Sequence, residues 1–87
     1  MYYLYILRNA YNRLYIGQTT NLEQRLRDHK NSHGAKFVRD YGDFQLVYSE
    51  KYATRTEAMK REKQLKGWTR AKKEALIVGD LELLKKL

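Results

Sequence analysis

Two short, tyrosine-rich apolar runs near the N-terminus constrain the fold most. Tyr2-Tyr3-Leu4-Tyr5-Ile6-Leu7 is the first and Leu14-Tyr15-Ile16-Gly17 the second, separated by Arg8 to Arg13. Both are rich in Tyr, Ile and Leu and are the length of strands. The connection is far too short for a parallel crossover, which needs a dozen residues or more, so the pair reads as an antiparallel hairpin. Apolar residues occupy both parities of the first run, as expected of a strand covered on both faces or central in its sheet. The hairpin carries Tyr5 and Tyr15, ten positions apart. An even sum of paired positions would put both rings on one face and an odd sum would separate them. The loop has no glycine, so its turn type and register are not legible.

Eighty-seven residues make one small domain. With no cysteine, a disulfide framework and a thiolate metal site are excluded. The longest apolar run is too short for a transmembrane helix or a secretory signal, so no membrane association and a cytoplasmic location are expected. Eighteen Lys and Arg against ten Asp and Glu give a net charge of +8. Such an excess favours a nucleic-acid partner, against the plainer reading of a solvated basic surface.

Downstream, Thr20-Asn21-Leu22-Glu23 has the form of a capping box and opens a helix whose stripe is Leu22 and Leu26. Arg25 and His29, themselves one turn apart, fall on the same arc. They read either as a snorkelling arginine and a satisfied core histidine or as functional groups. Residues 35–41 suggest one short helical turn, and Gly42-Asp43 a turn. Phe44 to Tyr48 reads as a third strand with Phe44, Leu46 and Tyr48 on one face. Thr54-Arg55-Thr56-Glu57 is a second capping box, and Gly67 a natural helix terminator. In the helix between them Glu62 sits in the apolar arc beside Ala58, Met59 and Leu65. A carboxylate there is either half of a buried ion pair, with Arg25 a candidate partner, or a metal ligand. Thr69 caps a last regular helix, Arg70 to about Val78, with Ala71, Ala75 and Leu76 inward. Trp68 at the junction reads as a core plug against a base-stacking platform. Residues 79–87 form a short amphipathic tail whose leucines could pad the core, dock a protein partner or mediate self-association. The order β-β-α-β-α-α, with a three-stranded, mainly antiparallel sheet flanked by helices, is an α+β fold.

These residues suit phosphodiester hydrolysis, which needs an activated water, a neutralised phosphate and a stabilised leaving oxygen. One Glu suffices for Mg²⁺, which keeps most of its waters and takes one or two carboxylates plus phosphate oxygens. Arg25 has the fork for a phosphate oxygen. A tyrosine could serve as base only if positive charge lowered its pKa of about 10. The stretch from Lys60 to Lys73 holds seven Lys or Arg in fourteen positions, either a phosphate-backbone surface or solvated helix faces. Candidate backbone contacts are Lys36, Arg39, Lys63, Lys66, Arg70, Lys72 and Lys73.

Tyr3-Leu4-Tyr5 with Tyr15-Ile16-Gly17, Arg25, His29 and Glu62 together resemble the GIY-YIG nuclease superfamily. Gly34-Ala35-Lys36-Phe37 and the stretch from Gln64 to Leu76 look like its small, stand-alone bacterial members. The resemblance runs from Tyr3 to about Ile77, with residues 1–78 read as the nuclease-like domain. It implies a three-stranded antiparallel sheet, both tyrosines on one catalytic face and therefore the even register. It also implies one divalent ion, Mg²⁺ or Mn²⁺, on Glu62. The catalytic set it implies is Tyr5, Tyr15, Arg25, His29 and Glu62, acting on DNA rather than RNA. Three departures stand out. Tyr3 replaces the glycine of the first motif, no Asn follows Asn31, and no DNA-targeting domain is read. Structure-directed or weakly sequence-specific cleavage, in repair or recombination, is the expectation. The alternative is a catalytically weak or silent nucleic-acid-binding module of the same fold.

Overall fold

A computed structural model describes residues 1–31 and 44–87, with the side chains of all of these except residues 28–31. Three strands, β1 (Tyr2–Asn9), β2 (Leu14–Thr19) and β3 (Phe44–Tyr52), form one antiparallel sheet in the order β2-β1-β3. The helices are α1 (Leu22–Asn31), α2 (Arg55–Lys66), α3 (Arg70–Val78) and α4 (Leu81–Lys86). The helical turn read over 35–41 lies outside the described residues.

The first strand is central, which explains its apolar residues on both faces. Leu4 and Ile6 point to one face and pack against Leu65 of α2 and Leu76 of α3. Leu14, Ile16, Val47, Trp68, Ile77 and Leu84 close around this cluster. Each fully buried aliphatic side chain here contributes about 1.5–3 kcal/mol. Tyr5 and Leu7 point to the opposite face and are also buried. On that side α1 sets Leu22 and Leu26 along a groove shared with Tyr3.

The hairpin closes without glycine. Asn12 takes φ 66°, a left-handed conformation that asparagine tolerates. The Asn9 side-chain oxygen accepts the backbone N–H groups of Tyr11 and Arg13 at 3.0 and 2.8 Å. Tyr5 pairs with Gly17 and Leu7 with Tyr15, so paired positions sum to 22 and the register is even.

The third strand runs on to Tyr52, past the expected end at Tyr48, and it contains an irregularity. Ile6 faces Tyr48 while Leu7 faces Leu46, so Val47 is an extra residue. The bulge sends Tyr48 to the face packed by α2 and α3, with Ile6, and leaves Leu46 on the side of α1. The expected single face for Phe44, Leu46 and Tyr48 is therefore broken.

The helix caps correct two details. In α1 the cap is Asn21, whose Oδ1 accepts the Gln24 N–H at 3.0 Å, and not Thr20. Gly67 has φ −85°, so α2 ends without using a left-handed glycine; Gly79, at φ 75°, does so after α3. Thr54 caps α2 as read, accepting the Glu57 N–H at 3.2 Å and donating its hydroxyl to the Glu57 carboxylate at 3.0 Å. Ala75 and Leu76 face inward as expected, whereas Ala71 is exposed.

Candidate active site

Gly17 positions the first tyrosine. The Tyr5 ring crosses from β1 onto β2 and lies on the Gly17 backbone. A Cβ at position 17 would come within 2.5 Å of the Tyr5 hydroxyl oxygen and 2.7 Å of its Cζ. Only a residue without a side chain lets the phenol reach over the edge strand. Tyr15 sits two residues back along β2, half-buried and on the same sheet face as Tyr5, as the even register requires.

Two charges from different helices act on this phenol. Arg25 from α1 and Glu62 from α2 both lie within electrostatic reach of Tyr5. Burial pushes the Tyr5 pKa up; Arg25 pulls it down and Glu62 adds to the rise, and the outcome is upward. The expectation that positive charge would lower it fails for Tyr5, because desolvation outweighs one exposed guanidinium. Tyr5 is a neutral hydroxyl at physiological pH. It can donate a hydrogen bond and orient an oxygen.

Arg25 is exposed and not packed among the α1 leucines. It lines a polar pocket of about 240 Å³ with Tyr2, Gln18, Thr19, Thr20 and Arg55. Glu62 is half-buried, flanked by buried Ala58 and Leu65, but Met59 is exposed, so the apolar arc is narrower than expected. The ion partner of Glu62 is Lys66 one turn on, at 3.3 Å, and not Arg25. His29 lies within α1; its side chain is outside the description.

The donor set suits one hard, well-hydrated cation. Glu62 is a single, half-buried carboxylate within electrostatic reach of the Tyr5 hydroxyl, and Mg²⁺ or Mn²⁺ needs only one such ligand when waters and phosphate oxygens complete the shell. Its Lys66 partner is on a long, largely exposed side chain that can swing away. Glu62 is the residue that would hold the ion.

The expected phosphate contacts divide. Lys63 is exposed, and Lys73 lines a groove of about 340 Å³ with Arg13, Leu14, Tyr15 and Arg70. Arg70 also holds Glu74, its Nε and Nη2 lying 2.9 and 2.8 Å from the carboxylate. Lys72 and Arg61 stack on the Trp68 ring at 5.4 and 5.1 Å from its centre. Trp68 thus plugs the core edge while its ring faces are taken by cations. Lys36 and Arg39 lie outside the described residues.

Two charge networks escaped the sequence reading. Arg8 grips Glu74 through both terminal nitrogens, at 2.9 and 2.5 Å, and also donates to Asn12 at 2.6 Å. The Arg8 hydrogen bonds, reinforced by Arg70, hold the Glu74 pKa down at about 2. On the other flank, Glu50 accepts the hydroxyls of Tyr48 and Tyr52 and a bidentate pair from Arg61 at 3.1 and 3.2 Å. Burial and the Glu50 carboxylate push both tyrosines up to about 12. Those two phenols are structural donors to one carboxylate. Residue spacing carries no signal for either network, since Arg8 and Glu74 meet only through the fold.

A family model described as the GIY-YIG catalytic domain matches residues 1–75. A UPF0213 protein of Natronomonas pharaonis is 39% identical over 79 residues, covering 91% of this chain and 93% of its own. The UPF0213 protein YhbQ of Escherichia coli is 38% identical over 89 residues, 99% of this chain and 89% of its own. The solution NMR structure of the UPF0213 protein BH0048 from Bacillus halodurans superposes with a TM-score of 0.59 at 36% identity, covering 100% of this chain and 97% of that one.

Proposed function

The chain belongs to the GIY-YIG nuclease family, and from that premise we propose that it is a divalent-metal-dependent endonuclease hydrolysing phosphodiester bonds in DNA. The observation that carries this reading is the electrostatic coupling at Tyr5 of three groups from three elements. These are a hydroxyl laid over Gly17, the guanidinium of Arg25 and the carboxylate of Glu62. Arg25 neutralises a non-bridging phosphate oxygen through its fork. Tyr5, kept protonated by its burial, donates to the attacking water or the phosphate and fixes its position. Tyr15, half-buried on the same face, orients the attacking water, and would take its proton only as a phenolate held by neighbouring positive charge. His29 supplements phosphate positioning from the next turn of α1. Glu62 holds one Mg²⁺ or Mn²⁺, which when bound supplies Lewis-acid stabilisation of the leaving oxygen.

Lys63, Lys66, Arg70, Lys72 and Lys73, with Lys36 and Arg39, contribute long-range attraction to the backbone. Residues 1–78 are the nuclease-like domain and 79–87 its tail. Leu81, Leu83 and Leu87 are exposed there, available to a protein partner or a second copy. No described helix is long and apolar enough to cross a membrane, and a cytoplasmic site of action fits. Contacts made mainly by cations to phosphates favour structure-directed or weakly sequence-specific cutting, in repair or recombination.

The test is cleavage of supercoiled, single-stranded and branched DNA with Mg²⁺, Mn²⁺ or EDTA, beside Glu62→Ala. Metal-dependent cutting that disappears in the variant supports the reading. Undiminished cutting by Glu62→Ala removes the role given to Glu62.

A second reading has its own observation. Lys66 sits 3.3 Å from the Glu62 carboxylate, where it would compete with a cation. A chain that keeps this pair would bind nucleic acid without turnover. Salt-sensitive binding of DNA with no cutting under any metal would select it.

A further inference from the structure

Two pockets lie at opposite ends of β2, and each sets cations beside one another. At the end nearest α1, Arg25 and Arg55 line one pocket with the hydroxyl-bearing Tyr2, Thr19 and Thr20 and the Gln18 amide. At the hairpin end, Arg13, Arg70 and Lys73 line the other with Tyr15. No carboxylate lines either pocket among the described residues. Arg70 is engaged by Glu74, but Arg13, Arg25, Arg55 and Lys73 have no ion pair among the described residues. Like charges sharing a pocket repel, and an anion with several acceptor oxygens relieves that repulsion.

The strand between the pockets is an edge strand of the described sheet. From Tyr15 to Gln18 or Thr19 is three or four residues, roughly 10–13 Å of strand. That length reaches about two consecutive phosphates of one nucleic-acid strand, whose backbone path is longer than the ~3.4 Å axial rise per nucleotide. The Tyr5 hydroxyl projects over Gly17, between the two ends.

We propose that the two pockets are flanking phosphate subsites for one nucleic-acid strand lying along β2, with Arg55 and Arg13 as its phosphate-positioning residues at either end. The inference rests on the nuclease reading and deepens it. A strand held on both sides of Tyr5 must continue past the scissile bond in both directions, so internal linkages are cut in preference to terminal ones.

The test measures binding of a labelled 20-nucleotide single-stranded DNA by anisotropy across a KCl series, in EDTA so that no turnover occurs. Arg13 and Arg55 are exposed, so Arg13→Gln and Arg55→Gln should fold normally; thermal melts check this. Each should flatten the slope of log K against log[salt] by about 0.7, and the double variant by about 1.4. Arg55→Lys should restore the slope, and Lys86→Gln on α4 should leave it unchanged. An unchanged slope in either single variant, with wild-type binding intact, overturns the track and leaves the nuclease reading standing. Inorganic phosphate displaced by Arg55→Gln with no change in the DNA slope also overturns it, as a site for free phosphate only. Absence of any salt-sensitive wild-type binding, together with absence of cleavage, defeats the nuclease reading and the track with it.

Discussion

Replacing Gly17 by alanine tests the site at its tightest contact. The new methyl would lie 2.5 Å from the Tyr5 hydroxyl oxygen and 2.7 Å from Cζ. Carbon contacts are comfortable at about 3.5–4.0 Å, so the ring tip must retreat by about 1 Å. Overpacking of this kind costs about 1–3 kcal/mol. Alanine recovers about 0.5–1 kcal/mol of the conformational entropy that glycine loses in a strand. Since the ring tip yields more readily than backbone, the net loss of stability should be about 1 kcal/mol. Position suffers more: a displacement of about 1 Å at a catalytic group costs about 10²-fold in rate. The assay pairs urea denaturation with cleavage kinetics for Gly17→Ala, Tyr5→Leu and the double variant. Leucine lacks the ring tip, so Gly17→Ala should be neutral or slightly stabilising in that background, giving a coupling of about 1 kcal/mol. Equal cost in both backgrounds would show that the strain lies in the backbone and that Gly17 does not exist for Tyr5. A Gly17→Ala variant with wild-type cleavage would refute the positional argument outright.

Further outcomes follow from the charge networks. The Glu74 pKa is depressed to about 2, so its contribution is complete above the unfolded value near 4.5 and is lost as pH falls toward 2. Glu74→Gln should remove that part of the acid sensitivity, about 1 kcal/mol after solvent screening, in denaturation curves at pH 5 and pH 2.5; parallel curves for variant and wild type would contradict it. Arg61→Ala leaves the half-buried Glu50 carboxylate without its fork and removes a cation from Trp68, and should cost about 2–3 kcal/mol by urea denaturation; a loss under 0.5 kcal/mol would make the pair ornamental. Lys66→Ala frees Glu62 from its cationic neighbour and should lower the Mg²⁺ concentration giving half-maximal cleavage several-fold. An unchanged Mg²⁺ dependence would mean Lys66 does not compete there.

What the sequence made legible follows the range of each interaction. The hairpin, the Thr54 and Thr69 caps and the α+β order depend on neighbouring residues, so the pattern reveals them. The even register of Tyr5 and Tyr15 depends on Asn9 and Asn12 shaping a loop that has no glycine, and residue type does not specify that geometry. Tyr48 changes face because Val47 bulges, and a bulge has no signature in alternation. The choice of Lys66 over Arg25 as partner for Glu62 reflects one turn of helix against a tertiary distance. Arg8 with Glu74, and Glu50 with Arg61, unite residues on different elements, so helical and strand periodicity is blind to them. Among the site residues, the resemblance singles out Tyr5, Tyr15, Arg25 and Glu62; the structure adds that Tyr48 and Tyr52 are tied to Glu50.

The central position of β1 also bears on how the protein is made. This strand leaves the ribosome before either neighbour, and its second edge stays open until Phe44–Tyr52 has emerged. Leu4 and Ile6 wait longer still for Leu65 and Leu76. A two-stranded ribbon with an apolar face is marginal in water and sticky toward other nascent chains. Chaperone dependence should therefore fall sharply once translation passes α3, a transition that arrest-peptide force measurements on stalled ribosomes would register.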